Sequence, residues 1–154
     1  MPNITPFLWF DAQAEEAAKF YVSIFPNSKI TRIGRRMDAA PANASDVLTV
    51  DFELDGRRYL ALNGGPHYKF TEAVSLMVHC KTQDEIDRYW SALTADGGEE
   101  VVCGWLKDKY GLFWQIVPEG LIELLAGPDR AKANRTMAAV MTMKKLDLAQ
   151  LQKA

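Results

Sequence analysis

One order of elements, met twice, constrains this chain more than any single motif does. From residue 4 the sequence reads as a strand, a helix and three strands, and from residue 73 it begins the same order again. A single βαβββ unit leaves one face of its sheet without cover. Two such units in one chain therefore predict a paired arrangement rather than two independent domains.

In the first unit, residues 4–10 form an apolar strand and 12–25 a helix. Ala14, Ala17, Ala18, Tyr21, Ile24 and Phe25 recur at the i, i+3, i+4 spacing of one helical face. Asp11 is placed to cap the helix start, and Pro26-Asn27 stop it. Residues 30–36 supply a strand and 37–46 a loop. In 47–54, Leu48, Val50, Phe52 and Leu54 alternate with Thr49, Asp51 and Glu53, giving one apolar and one polar face. Asp55-Gly56 predict a two-residue hairpin turn into the partner strand, 57–63.

The second unit opens with a strand over 73–80. Thr82-Gln83-Asp84-Glu85 is a capping box for a helix whose stripe is Ile86, Tyr89, Trp90 and Leu93, and Gly97-Gly98 end it. Residues 99–106 and 112–117 read as strands joined by a turn at 107–111, which leaves the strand count over 98–118 open. After residue 118 the repeat stops. An apolar turn or short helix over 121–125 and a longer helix over 131–143, with Met137, Val140 and Met141 on one side, lead to Leu146, Leu148 and Leu151. That tail must cover apolar surface, either of its own core or of a partner subunit. The expectation is one α+β domain over 1–154: a βαβββ module at 1–66, a second at 72–118, and a helical tail at 119–154. The modules form a curved mixed sheet around a cleft with the helices outside.

Composition narrows the partners. A net charge of −2 and a pI near 5.7 offer no basic footprint for nucleic acid or anionic lipid. The basic doublets Arg35-Arg36, Arg57-Arg58 and Lys144-Lys145 read as solvated strand ends or turns. No apolar run reaches membrane-spanning length, and the polar opening residues lack a signal-peptide core. Cys80 and Cys103, each inside a predicted strand, read as free thiols of a reducing cytoplasm.

Four blocks, FLWFDAQAEEAAKFY (7–21), ALNGGPHYKFTEAVSLMVHC (61–80), CGWLKDKYGLFWQIVP (103–118) and PDRAKANRTMAAVMTMKKLDLAQL (128–151), resemble the PhnB-like family of the vicinal-oxygen-chelate (glyoxalase/bleomycin-resistance) superfamily. The resemblance implies a homodimer of paired βαβββ modules with a cavity in each curved sheet. It also implies four stations for the ligands of one divalent ion, which map to Thr5 or Pro6, Ala61, Ser75 and Gln115. None carries charge, and only Gln115 can coordinate, so a metal-free protein is expected; the alternative is a metal-dependent lyase, isomerase or dioxygenase holding one divalent ion. Some family members carry a ubiquinone-pathway methyltransferase label. A Rossmann-type cofactor site needs a glycine-rich turn after its first strand, and no glycine lies between Phe10 and Phe25.

The residues themselves point to a pocket. Tyr59, Ala61 and Asn63 share one strand face, Ser75, Met77 and His79 another, and Phe113, Gln115 and Val117 a third. If these faces are concave, they make an apolar cleft with a few hydrogen-bonding groups, edged by Trp9 and Trp105. The candidate ligand-binding residues are Trp9, Tyr59, Asn63, Ser75, His79, Trp105 and Gln115. His79 has a competing reading as a partly buried, hydrogen-bonded residue, and His67 as a loop residue. Asp51 and Glu53 read as the polar side of a half-exposed strand. Cys80 and His79 point to opposite faces and form no dyad, and the chain has no G-x-S-x-G elbow. The expected function is binding of an unidentified small molecule by a cytoplasmic homodimer, with catalysis left open. A drug-sequestering protein is the third reading, and it requires an acidic or aromatic groove.

Overall fold

In the computed structural model, which describes residues 2–40 and 45–154, the chain divides into two compact units, 1–70 and 71–154. Part of the expected 37–46 loop lies outside the described residues.

The first unit holds β1 (Phe7–Phe10), α1 (Ala14–Ile24), β2 (Lys29–Arg35), β3 (Val47–Leu54) and β4 (Arg57–Asn63). They form one mixed sheet of order β1-β4-β3-β2, in which β1 and β4 run parallel and the other pairs antiparallel. Asp55 and Gly56 both take positive φ, 49° and 74°, so the predicted hairpin turn has the twist that antiparallel strands require. α1 buries Ala14, Ala17, Ala18 and Tyr21, and three alanines let it lie close to the sheet. Tyr21 reaches the Phe52 ring, 6.4 Å between centroids.

The start of α1 departs from expectation. The residue before the helix is Gln13, which gives no side-chain cap, and Asp11 does not supply one. The Ala14 N–H instead donates to the Asn63 side-chain oxygen at 2.8 Å. The cap comes from the end of β4, a tertiary contact that local spacing does not encode.

The second unit holds β5 (Ser75–Cys80), α2 (Gln83–Thr94), β6 (Glu99–Glu100), β7 (Trp105–Lys107), β8 (Phe113–Pro118), α3 (Leu121–Ala126), α4 (Arg130–Val140) and α5 (Leu148–Lys153). Its sheet has order β5-β8-β7-β6, the β1-β4-β3-β2 plan repeated. The cap forms: the Glu85 N–H donates to Thr82 Oγ1 at 3.2 Å, and the Glu85 carboxylate reaches back one residue past the cap to accept from the Lys81 N–H at 2.8 Å. The expected strand 99–106 is split in two. Cys103 at φ 63° and Gly104 at φ 81° turn the backbone, so Cys103 sits in a turn and not in a strand. The 107–111 turn is tied by Asp108, buried, which accepts from the N–H of Tyr110 and Leu112 and from Trp114 Nε1.

The tail packs on its own unit. Leu121, Val140, Met143, Leu146 and Leu151 form one buried cluster with Val117 of β8, and Met77 and Cys103 pack against it. Backbone bonds from Cys103 N to Met143 O and from Gly104 N to Lys144 O, both 2.8 Å, fix its path. The Gln83 amide donates to Leu146 O and accepts from Leu148 N. The buried residues of α4 are Ala133, Thr136 and Val140, whereas Met137 and Met141 stay exposed, correcting the expected Met137-Val140-Met141 stripe. No helix among the described residues is long and apolar enough to cross a membrane.

Candidate functional site

Strand register decides which side chains α1 covers. Paired residues on neighbouring strands point the same way. Leu8 and Phe10 therefore share a face with Ala61 and Asn63, which lie opposite them on β4, and with Val50 and Phe52, which face Ala61 and Tyr59. This is the α1 side, because Asn63 caps α1 and Tyr21 meets Phe52. The opposite face, which α1 leaves open, is a grid. One row across β1, β4, β3 and β2 is Trp9, Leu62, Thr49 and Gly34, and the next is Phe7, Leu60, Asp51 and Arg32. A further row places Arg58, Glu53 and Lys29 side by side.

The expected grouping of Tyr59, Ala61 and Asn63 on one strand face holds, but that face looks toward the helix. Asn63 is fully buried, and its amide is spent at both ends, since Nδ2 also donates to Val47 O at 3.0 Å. Its alternation partners Leu60 and Leu62 take the open face instead. Alternation fixes which residues share a side; it cannot say which side the helix covers. Tyr59 stacks on Phe52, 5.5 Å between centroids, and half-burial pushes its phenol up while Arg57 pulls it down. It still borders a cavity of about 440 Å³ shared with Thr5, Arg57, Arg58 and the other residues of 3–6.

Trp9 is on the open face, half-buried, with Nε1 donating to Gly65 O at 3.0 Å and Tyr68 meeting its ring edge-on at 4.9 Å. A Cβ on Gly64 would run into the indole, so glycine there is what lets the ring lie flat over the end of β4. Beside it, Phe7 is 53% exposed. Trp9, Phe7, Leu60 and Leu62 make an apolar quarter of the sheet.

The charged quarter was not apparent from sequence. Asp51, read as the solvated side of a strand, is only 5% exposed. Arg32 donates to its Oδ2 from Nε at 3.1 Å and from Nη2 at 2.7 Å, and Arg58 donates to Oδ1 from Nε at 2.8 Å. The Arg58 hydrogen bond, opposed by burial and aided by Arg32, holds the Asp51 carboxyl below the usual range. Arg58 thus sits at an exposed strand end, as expected, but its guanidinium is paired with a buried carboxylate. Asp51 is in register with Arg32 alone, through an irregularity in β2, and Arg58 reaches it diagonally from the row of Glu53, so neither pairing is written in local sequence.

In the second unit, register puts Ser75, Met77 and His79 on one face with Phe113, Gln115 and Val117, and Trp105 joins them opposite Gln115. The other face, with Leu106, Trp114 and Ile116, packs under α2. Gln115 Nε2 donates to Ser75 Oγ at 2.9 Å, so two candidates form one neutral polar pair. Trp105 is half-buried beside them. His79 is exposed, which replaces the expected partly buried histidine, and His67 is an exposed loop residue as expected. The Cys80 thiol, buried on the α2 side, is pushed up to about 12 mainly by burial, the state of an inert thiol.

These side chains do not suit a divalent ion. No group of three or more His, Cys, Asp or Glu is placed to hold one among the described residues. Ala61 points into the helix interface, and its open-face neighbours are leucines. Ser75 and Gln115 are neutral and bonded to each other. Nor does the β1–α1 turn suit a nucleotide cofactor. Its residues are Asp11, Ala12 and Gln13, the Phe10 and Asp11 carbonyls accept from Gly64 and Gly65, and the first helical N–H is taken by Asn63.

A family model described as 3-demethylubiquinone-9 3-methyltransferase matches residues 2–117. The PhnB protein of Bacillus cereus shares 34% identity over 76% of this chain and 99% of its own, with a TM-score of 0.69. The chain belongs to this PhnB-like family. Two more distant structures share the fold. Protein PA1353 from Pseudomonas aeruginosa has 19% identity and a TM-score of 0.65, over 77% of this chain and 98% of its own. The fosfomycin resistance protein FosX from Listeria monocytogenes has 16% identity and a TM-score of 0.54, over 80% and 97%. No curated protein matches. The resemblance read from the four sequence blocks is thus the family, and the repeated βαβββ plan is its fold.

Proposed function

We propose that this PhnB-like protein binds a small molecule on the open face of the first unit's sheet, without a divalent metal. The observation that carries this reading is the sorting of that face. Phe7, Trp9, Leu60 and Leu62 offer an apolar surface that α1 does not cover, the indole is held in one orientation by Gly64 and Gly65, and hydrogen-bonding groups lie one row away. Apolar surface with a few fixed polar groups is the usual make-up of a small-molecule site. The Ser75–Gln115 pair is a second candidate contact, suited to an uncharged ligand group because the amide both donates and accepts.

The family's methyltransferase description does not fit this chain, because its β1–α1 turn offers no glycine and the first helical N–H is taken by Asn63. A drug-sequestering role for a cationic ligand is also disfavoured, because the charged quarter of the face carries more arginine and lysine than carboxylate. Assembly as a homodimer in the cytoplasm completes the proposal. It draws on the family resemblance and on Met137 and Met141, which the tail leaves exposed.

Binding is tested with N-phenyl-1-naphthylamine, whose fluorescence rises in apolar sites. Saturable binding that weakens at least tenfold in Trp9→Ala supports the reading. Binding that is absent, or unaffected by Trp9→Ala, contradicts it.

A further inference from the structure

Three features of the first unit converge on Arg32 and Arg58. The first is a bulge. The β2–β3 register passes from Ile30 opposite Phe52 to Arg32 opposite Asp51, so Thr31 is an extra residue. Without it Arg32 would fall on the other face, because a one-residue slip reverses every side chain. Bulges re-aim side chains in this way.

The second is the buried carboxylate. Asp51 takes three N–H bonds from two guanidinium groups whose side chains remain 71% and 55% exposed. One arginine would suffice to neutralise a buried aspartate, and the second leaves the cluster with a surplus of positive charge. Glu53, opposite Arg58, does not remove it, since Lys29 lies 3.9 Å from Glu53. These five groups sum to +1. Among the described residues, Nη1 of Arg32 and both Nη atoms of Arg58 have no hydrogen-bond partner.

The third is space. A shallow, solvent-open depression of about 320 Å³ is lined by Thr31, Arg32, Asp51 and Arg58. Leu60 adjoins Asp51 across the strands and lies two residues from Arg58 along β4, so apolar surface begins roughly 5 Å from the charged corner.

We propose that Arg32 and Arg58, held in orientation by Asp51, bind the anionic head of a small molecule, a carboxylate, phosphonate or sulfonate. Its apolar body lies along Leu60, Phe7, Leu62 and Trp9. Guanidinium groups match such oxyanions with two parallel N–H bonds, which a solvated lysine does not provide. This proposal rests on the small-molecule reading above and adds the ligand class to it.

Two probes with one aromatic body separate the charge from the apolar contact: 1-anilinonaphthalene-8-sulfonate and neutral N-phenyl-1-naphthylamine. The wild-type protein should bind the sulfonate about tenfold more tightly, the worth of one well-formed charged contact in a partly exposed site. That preference should shrink in molar salt. Arg58→Gln should bring the two affinities within about twofold and leave the neutral probe unchanged, and Arg58→Lys should keep part of the preference. Because loss of Arg58 leaves buried Asp51 with one partner, a second readout uses the intact protein: the Nε–Hε resonances of Arg32 and Arg58 should move on adding the sulfonate and not the amine. Equal affinities with unmoved arginine resonances would overturn the anion assignment while leaving the small-molecule site standing. Failure of both probes to bind would instead remove the binding reading, and the head-group assignment with it.

Discussion

Replacing Asn63 by alanine separates a scaffold role from a ligand role at one position. In the folded chain the amide oxygen accepts the Ala14 N–H at 2.8 Å, and the amide nitrogen donates to Val47 O at 3.0 Å, with no exposed surface on the residue. Alanine leaves a buried donor and a buried acceptor without partners, and each orphaned group costs about 1–3 kcal/mol. The expected loss is about 3 kcal/mol in total, with a fall in Tm of roughly 6–12 °C for a chain of this size. Urea denaturation followed by far-UV circular dichroism measures it, with the dependence on urea unchanged. A loss below about 1 kcal/mol accompanied by weakened ligand binding would refute the scaffold argument and return Asn63 to the site.

Asp51→Asn should destabilise the protein at neutral pH. The carboxyl is held below its ordinary value in the folded state, so its contribution is present above the unfolded value of about 4 and is lost as pH falls through the lower folded value. Wild type and variant should therefore converge in acid, and a gap that widens there would contradict the ion-pair network. Gly64→Ala should cost about 1–3 kcal/mol and shift tryptophan emission, because the added methyl displaces the Trp9 ring. Unchanged emission would place Trp9 elsewhere. At pH 8 the native protein should expose at most Cys103 to a thiol reagent, with Cys80 reacting only after unfolding, since its thiol sits near 12. Protein purified without chelator or tag metal should carry far less than one divalent ion per chain by mass spectrometry. A stoichiometric ion would favour the metal-dependent alternative.

Much of the fold was legible because its signals are local. The alternation over Val47–Leu54, the Asp55-Gly56 turn and the Thr82–Glu85 box each specify an element through residues within a few positions, and the two units repeat the same order. What failed was settled at a distance. Whether Tyr59 or Leu60 faces the helix depends on which side α1 packs, and the cap on α1 arrives from a residue 49 positions away. The buried state of Asp51 depends on a bulge at Thr31 that no residue type announces. Cys103 misled for a related reason: residues 99–106 read as one strand running through Cys103-Gly104 until both residues are seen to take positive φ. For the site, alternation correctly grouped Ser75, Met77 and His79, and Phe113, Gln115 and Val117, while finding that Asn63 lies on the α1 face required knowledge of the packing.

The most direct test of the central claim is a heteronuclear NMR titration of the full chain with N-phenyl-1-naphthylamine, following backbone amides and the four indole Nε1–H signals. The account predicts saturable shifts at Phe7, Trp9, Leu60 and Leu62, including the Trp9 indole that donates to Gly65, with the α1-side residues Phe52, Ala61 and Asn63 unmoved. Shifts centred on the α1 side, or none at the Trp9 face at saturating probe, would contradict it.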